Sequence, residues 1–167
     1  GRKAGLIGLG GGCSVLATDI CVREGLTVAP FSLELREKLR EIIPDELDPG
    51  TSMRNPVDVS ASGWNPDIFS KTLETIANYN GIDFVLTYTP VPTGPAASQL
   101  INTHIDCLIQ TKKRANKPIA TVLRRDDTPE ATNLAFNLQN KCGQAGIPVF
   151  PSLERAARAV NRFAPRQ

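Results

Sequence analysis

A short apolar run that ends in glycines and passes straight into a helical pattern leaves few folds open. This chain carries one near its start: Leu6-Ile7-Gly8-Leu9-Gly10-Gly11-Gly12-Cys13-Ser14-Val15-Leu16-Ala17-Thr18-Asp19. The order is strand, tight turn, helix. Glycines let the turn take positive φ and let another group come close to the peptide N–H groups. The first N–H groups of a helix are unpaired and sit at the positive end of its dipole, so an anion, phosphate above all, fits there. The same glycines also serve a plainer end, letting the first helix pack close to the first strand, and the spacing leaves both readings open. Gly8 and Gly10 match the first two glycines of G-x-G-x-x-G, but the third position is Cys13 and no acidic residue ends the next strand, so a dinucleotide fingerprint is poorly matched. Cys13 also stands where a Walker lysine would precede Ser14.

Along the rest of the chain, apolar runs alternate with helical patterns. Strands are expected at 4–8, 26–29, 83–89, 119–123 and 147–150. The first helix, 14–24, has Val15, Leu16, Ile20 and Cys21 on one face and Thr18, Asp19, Arg23 and Glu24 on the other, and Gly25 stops it. Ser32 caps a second helix with Leu33, Leu35, Leu39, Ile42 and Ile43 inward before Pro44. Residues 45–63 have no helical period and read as a long loop, in which Asn55-Pro56-Val57-Asp58 either clamps a turn or faces the mouth of the glycine turn. Asn65-Pro66 opens a helix through Ile68, Phe69, Leu73, Ile76 and Ala77, and a long helix spans 96–114 with Leu100, Ile101, Ile105, Leu108 and Ile109 inward. Thr128-Pro129-Glu130 starts another, with Leu134, Phe136 and Leu138 inward and Gly143 and Gly146 at its end. Ser152 caps a closing helix through Leu153, Ala156, Ala157, Val160 and Phe163. Such alternation gives an α/β fold: a doubly wound, five-stranded parallel sheet of order 2-1-3-4-5, as in flavodoxin, between two helical layers. Its switch point lies between strands 1 and 3, which sets residues 10–14 beside 90–94, with Arg124, Arg125 and Asp126 farther along the same edge. Those arginines either hold an anion or are solvated loop charges.

Composition narrows the partners. A length of 167 residues fits one domain, and 19 basic against 17 acidic residues, in no long run of one sign, give no electrostatic case for nucleic acid or an anionic membrane. Cys13, Cys21, Cys107 and Cys142 form no C-x-x-C pair and there is one histidine, so a structural zinc site lacks its ligand spacing. Cys21, Cys107 and Cys142 read as small buried hydrophobes. No apolar stretch reaches membrane-spanning length, and a reducing cytoplasm is the expected setting. His104 reads as a surface or boundary histidine, and no residue stands out as catalytic.

A series of motifs in one order adds a resemblance. Gly11-Gly12-Cys13-Ser14-Val15-Leu16-Ala17-Thr18-Asp19, Glu24-Gly25-Leu26, Arg54-Asn55-Pro56-Val57-Asp58, Gly81-Ile82-Asp83, Lys117-Pro118 and Ala145-Gly146-Ile147-Pro148-Val149-Phe150 together resemble the flavodoxin-like ligase domain of nucleoside-diphosphate-forming acyl-CoA synthetases, relatives of ADP-forming acetyl-CoA synthetase and succinyl-CoA ligase. The resemblance covers nearly the whole chain, 1–167, as one domain of a larger multidomain enzyme. It implies a part in interconverting acyl-CoA, ADP and phosphate with acid, CoA and ATP through an acyl phosphate and a phosphohistidine. On it, Gly11, Gly12, Cys13 and Ser14 face the phosphate, Thr18 and Asp19 stand behind, and Asn55 and Asp58 support the site. The family usually has proline at the position of Cys13 and glycine at that of Ser14. Its phosphorylated histidine lies in a Ser-His-Thr-Gly segment of a neighbouring domain, and His104, between Thr103 and Ile105, is not that residue. The implied partners are CoA-binding and ATP-grasp domains, with phosphate, CoA and ADP as substrates of the complete enzyme and no tightly bound cofactor or metal. The isolated chain is expected to be inactive. Two alternatives stay open: a non-catalytic synthetase-like regulatory domain of a protein lysine acetyltransferase, and a flavodoxin-like nucleotide- or CoA-binding module. Against flavin, the first turn lacks a Ser/Thr-rich phosphate loop.

Overall fold

In a computed structural model, which describes residues 1–9, 11–43 and 53–163, five strands form one parallel sheet. The strands are β1 (Ala4–Gly8), β2 (Val57–Asp58), β3 (Phe84–Pro90), β4 (Ile119–Arg124) and β5 (Val149–Phe150), in the order β2-β1-β3-β4-β5. The order is the flavodoxin-like one expected from the alternation of patterns. The helices are α1 (Gly11–Arg23), α2 (Leu33–Ile42), α3 (Pro66–Ala77), α4 (Pro95–Arg114), α5 (Pro129–Gln144) and α6 (Leu153–Phe163). Strand side chains alternate between two cores: Leu6, Phe84, Leu86 and Val122 pack under α1 and α6, while Ile7, Val85, Ile119 and Leu123 pack under α2, α3, α4 and α5.

One strand differs from expectation. Residues 26–29 make only a single bridge to the sheet, Thr27 beside Lys3, and the edge strand is Val57–Asp58, inside the stretch expected to be loop. Asn55 explains how two short pieces share one edge of β1. Its side-chain Oδ1 accepts from the Leu6 N–H at 2.9 Å, and its Nδ2 donates to the carbonyls of Ala4 at 2.6 Å and Ala29 at 3.0 Å. The amide thus stands in for a peptide group between the Thr27 bridge and the Ile7–Val57 pair, satisfying backbone that would otherwise be unpaired. A turn clamp would bond nearby backbone, whereas Asn55 bonds backbone 26 to 51 residues earlier in the chain.

Helix ends follow the expected chemistry at several points. Ser32, Asn65 and Thr128 cap α2, α3 and α5 through their side-chain oxygens. Gly25, at φ +84, closes α1: the Leu26 N–H reaches the Cys21 carbonyl at 2.9 Å. Expectations about Gly10, Pro44, 45–52 and the chain end at 164–167 lie outside the described residues. Several faces are corrected. α1 begins at Gly11 rather than Ser14, and its buried stripe is Ser14, Ala17, Ile20 and Cys21, so Val15 and Leu16 point outward at 66% and 51% exposure. Leu33, Leu100, Phe136 and Phe163 are exposed as well, and Cys107 is half-buried. α5 continues through Gly143, and Gly146, at φ +72, ends it.

His104 is the clearest correction. It is 4% exposed, not at the surface. Its ring stacks on Phe69 with centroids 3.8 Å apart and lies 5.4 Å from that of Trp64, whose short 3-10 helix (Ser60–Trp64) follows β2. Its Nε2 is 3.2 Å from the Thr89 hydroxyl and its Nδ1 has no partner. Burial pulls its pKa down from 6.5 to about 4, opposed by the Gly63 backbone.

Candidate functional site

The carboxyl ends of parallel strands are where an open α/β sheet leaves a crevice. Here that edge is built from the end of β1 at Gly8, the first turn of α1, Asp58 at the end of β2, Tyr88 on β3 and Arg124 at the end of β4. β1 and β2 are held together at this end by the Val59 N–H, which donates to the Gly8 carbonyl at 3.1 Å. Gly11, Gly12, Cys13 and Ser14 are the first four residues of α1 rather than a turn before it. The amides of Gly11, Gly12 and Cys13 are therefore helix-start N–H groups, the kind left without intrahelical acceptors, whereas Ser14 is already engaged.

The glycines divide between two roles. A Cβ on Gly8 would come within 3.1 Å of the Ser14 hydroxyl, so Gly8 makes room for the helix to pack. A Cβ on Gly12 would meet nothing within 4 Å. Glycine inside an exposed helix costs about 1 kcal/mol relative to alanine. No packing contact requires glycine at position 12. The first turn of α1 also contains no acidic residue, unlike those of α2, α3, α5 and α6.

Around this helix start, Ser14 is buried and the Cys13 thiol lies against the Tyr88 phenol. Burial raises the Tyr88 pKa first, Cys13 raises it further, and the Arg124 charge opposes both. Thr18 and Asp19 are not at the opening. The Thr18 hydroxyl donates back to the Ser14 carbonyl at 3.1 Å, and Asp19 is exposed about 10 Å farther along the axis than Gly12. Asn55 is spent on β1 and Asp58 is half-buried and already engaged. The two arginines part ways: Arg125 is tied by its Nη1 to the Thr132 hydroxyl at 3.0 Å and the Asp126 carbonyl at 3.2 Å, while Arg124 is exposed beside the Tyr88 side of the crevice. The start of α4 is on the same edge, but the Gly94 N–H already donates to the Glu130 carboxylate at 3.0 Å.

Sequence reasoning missed Tyr88 and Glu130. Tyr88 had a signal, since Phe84, Leu86 and Tyr88 alternate onto one face and the last of them must fall at the carboxyl end. Glu130 had none, because its partner lies on another element, 36 residues earlier. Among the described residues, no group of three or more His, Cys, Asp or Glu is placed to hold a metal ion, and no helix is long and apolar enough to cross a membrane.

Comparison with known proteins points to the group the motif series resembles. No protein-family model matches the chain. It is 34% identical over 89 residues to an ADP-forming acetate–CoA ligase I of Archaeoglobus fulgidus, covering 52% of this chain and 12% of that protein. It is 28% identical over 165 residues to a trans-feruloyl-CoA synthase of an unknown prokaryote, covering 98% and 22%. It is 27% identical over 162 residues to the alpha subunit of an ADP-forming acetate–CoA ligase II of Pyrococcus furiosus, covering 96% and 33%. The chain thus spans a third or less of the curated relatives it matches. Two solved structures share the fold. One, from Pyrococcus horikoshii OT3, has a TM-score of 0.76 at 24% identity over 95% of this chain and 34% of that one. The other is a dinucleotide-forming acetyl-coenzyme A synthetase 1 of Ca. Korarchaeum cryptofilum, solved with phosphate and ADP, with a TM-score of 0.66 at 19% identity over 99% and 36%.

Proposed function

We propose that this chain is the flavodoxin-like ligase domain of an NDP-forming acyl-CoA synthetase, and that the start of α1, Gly11, Gly12, Cys13 and Ser14, receives a phosphoryl group there, held by the backbone N–H groups of Gly11, Gly12 and Cys13. The observation that carries the reading is Gly12: a helical glycine with open space over it, at the carboxyl edge of the sheet, in the first turn of a helix free of acidic residues. The curated relatives supply the reaction class, since they are acyl-CoA ligases that match 52–98% of this chain. In the complete enzyme, acyl-CoA, phosphate and ADP exchange with acid, CoA and ATP through a histidine phosphorylated in a neighbouring domain, with CoA-binding and ATP-grasp domains as the partners. The share of this chain is electrostatic. Helix-start N–H groups hold the phosphoryl oxygens without any side chain having to gain or lose a proton.

His104 takes no part in the transfer, because it is buried among Phe69, Trp64 and Thr89 on the far side of β3 from α1. The reading is tested by ATP formation from acyl-CoA, ADP and phosphate in the complete enzyme. Gly12→Val covers the opening, so it lowers turnover by about a hundred-fold or more, the scale on which lost oxyanion donors act. Arg125→Ala, whose side chain is spent on Thr132, leaves it close to normal. Unchanged turnover in Gly12→Val contradicts the assignment.

A further inference from the structure

The opposite end of the sheet holds a second feature that this reading does not use. Beside the amino ends of β3 and β4 and the last turn of α6 is a cavity of about 780 Å³, the volume of an ordinary small-molecule site. Its apolar wall comes from Phe84, Ala120, Phe150 and Val160. Lys112, in the last turn of α4, and Lys117, just before β4, complete it. Both lysines are half-buried, and neither has an ion pair or hydrogen bond among the described residues. Elsewhere Lys38, Arg114, Lys141 and Arg158 each meet a carboxylate. The Asp83 carboxylate, which also lines the cavity, accepts from the Lys3 N–H at 2.8 Å and makes no ion pair with either lysine. Phe163, at the lip, is 89% exposed.

An apolar wall with two unpaired cations fits a ligand with an apolar body and one negative head. Burial of the body against the phenylalanines supplies affinity, and a carboxylate offsets the cost of half-burying two ammonium groups. We propose that this cavity binds a small monocarboxylate, with an aromatic or short aliphatic body on Phe84, Phe150 and Val160 and its carboxylate toward Lys112 and Lys117. It shares no lining residue with the start of α1, so it does not depend on the phosphate assignment.

The test is titration of the purified chain with 4-phenylbutyrate, followed by amide chemical shifts. Saturable shifts are expected at Lys117, Ala120, Phe150 and Val160, with Gly12, Cys13 and Ser14 unmoved. The neutral analogue 4-phenylbutanol is expected to bind about ten-fold more weakly. The double variant Lys112→Met, Lys117→Met keeps the apolar stems and erases the difference between acid and alcohol without lowering the thermal midpoint. Ala120→Leu fills the cavity and abolishes binding of both. No saturable shift by about 10 mM overturns the proposal, as does equal binding of acid and alcohol by the unaltered chain. Shifts at the same amides that grow with protein concentration in the absence of probe overturn it in favour of a second copy of the chain.

Discussion

A proton on His104 would meet Phe69, Trp64 and the Thr89 hydroxyl, burial outweighs the Gly63 backbone that favours it, and no charged side chain contributes to its shift. The folded chain therefore resists a proton that the unfolded chain accepts from about pH 6.5 downward. Stability contributed by the neutral ring is complete above that pH and is lost as pH falls toward the folded pKa of about 4, with no further loss below it. The gap corresponds to a loss on the order of 3 kcal/mol. Urea denaturation at pH 7 and pH 4 reads it directly: the unaltered chain should lose about that much more than His104→Gln, whereas equal losses would place the ring in water. Asn55 gives a second expectation. Asn55→Ala leaves the Leu6 N–H and the Ala4 carbonyl without their side-chain partner, at a cost of about 2–4 kcal/mol in the same assay. The burial of His104 was legible in its spacing. Ile101, Ile105 and Leu108 are all buried, and a residue three after the first and four before the last lies on their face. The pairing of Asn55 was not legible, because its partners sit 49 to 51 residues earlier, on a strand it joins only in the folded chain.

Helix α1 shows how far periodicity reaches for an element. Its apolar residues nearly encircle it, so periodicity alone does not pick the buried face, and tertiary packing does. Packing against β1 and α6 buries Ser14, Ala17, Ile20 and Cys21, and Val15, Leu16 and Val22 face outward. Two substitutions separate the faces. Ile20→Ala should cost about 2–5 kcal/mol, while Leu16→Gln should stay within about 0.5 kcal/mol, measured as denaturation midpoints of the chain. A large loss for Leu16→Gln would restore the original face. The edge strand was harder to read, since two residues, Val57 and Asp58, are too few to show alternation. The central strands needed no such help: β1, β3 and β4 are covered on both faces and appear as continuous apolar runs.

For the whole molecule, sheet order and the location of the crevice follow from handed crossovers between parallel strands, which is why a pattern of alternating elements was enough to set the glycine helix beside β3. What the helix start does there depends on local space, and that became visible only with the chain folded: Gly8 serves packing and Gly12 does not. Alone, the chain should take no label from γ-labelled ATP, since its one histidine is enclosed in the core. Acid-labile phosphate that disappears in His104→Ala would contradict this. A single exposed helix end attracts an anion by only about 0.3–1 kcal/mol, so the isolated chain should bind phosphate at millimolar strength or weaker, and more tightly once neighbouring domains complete the site. Amide shifts during a phosphate titration of the chain and of Gly12→Ala test the central claim most directly. The account predicts movement at Gly12, Cys13 and Ser14 in the unaltered chain. In Gly12→Ala it predicts weaker movement in a fold that is more stable by about 0.5–1 kcal/mol. Movement at Arg124 and Arg125 with none at Gly12 to Ser14 would contradict it, leaving the start of α1 to packing alone.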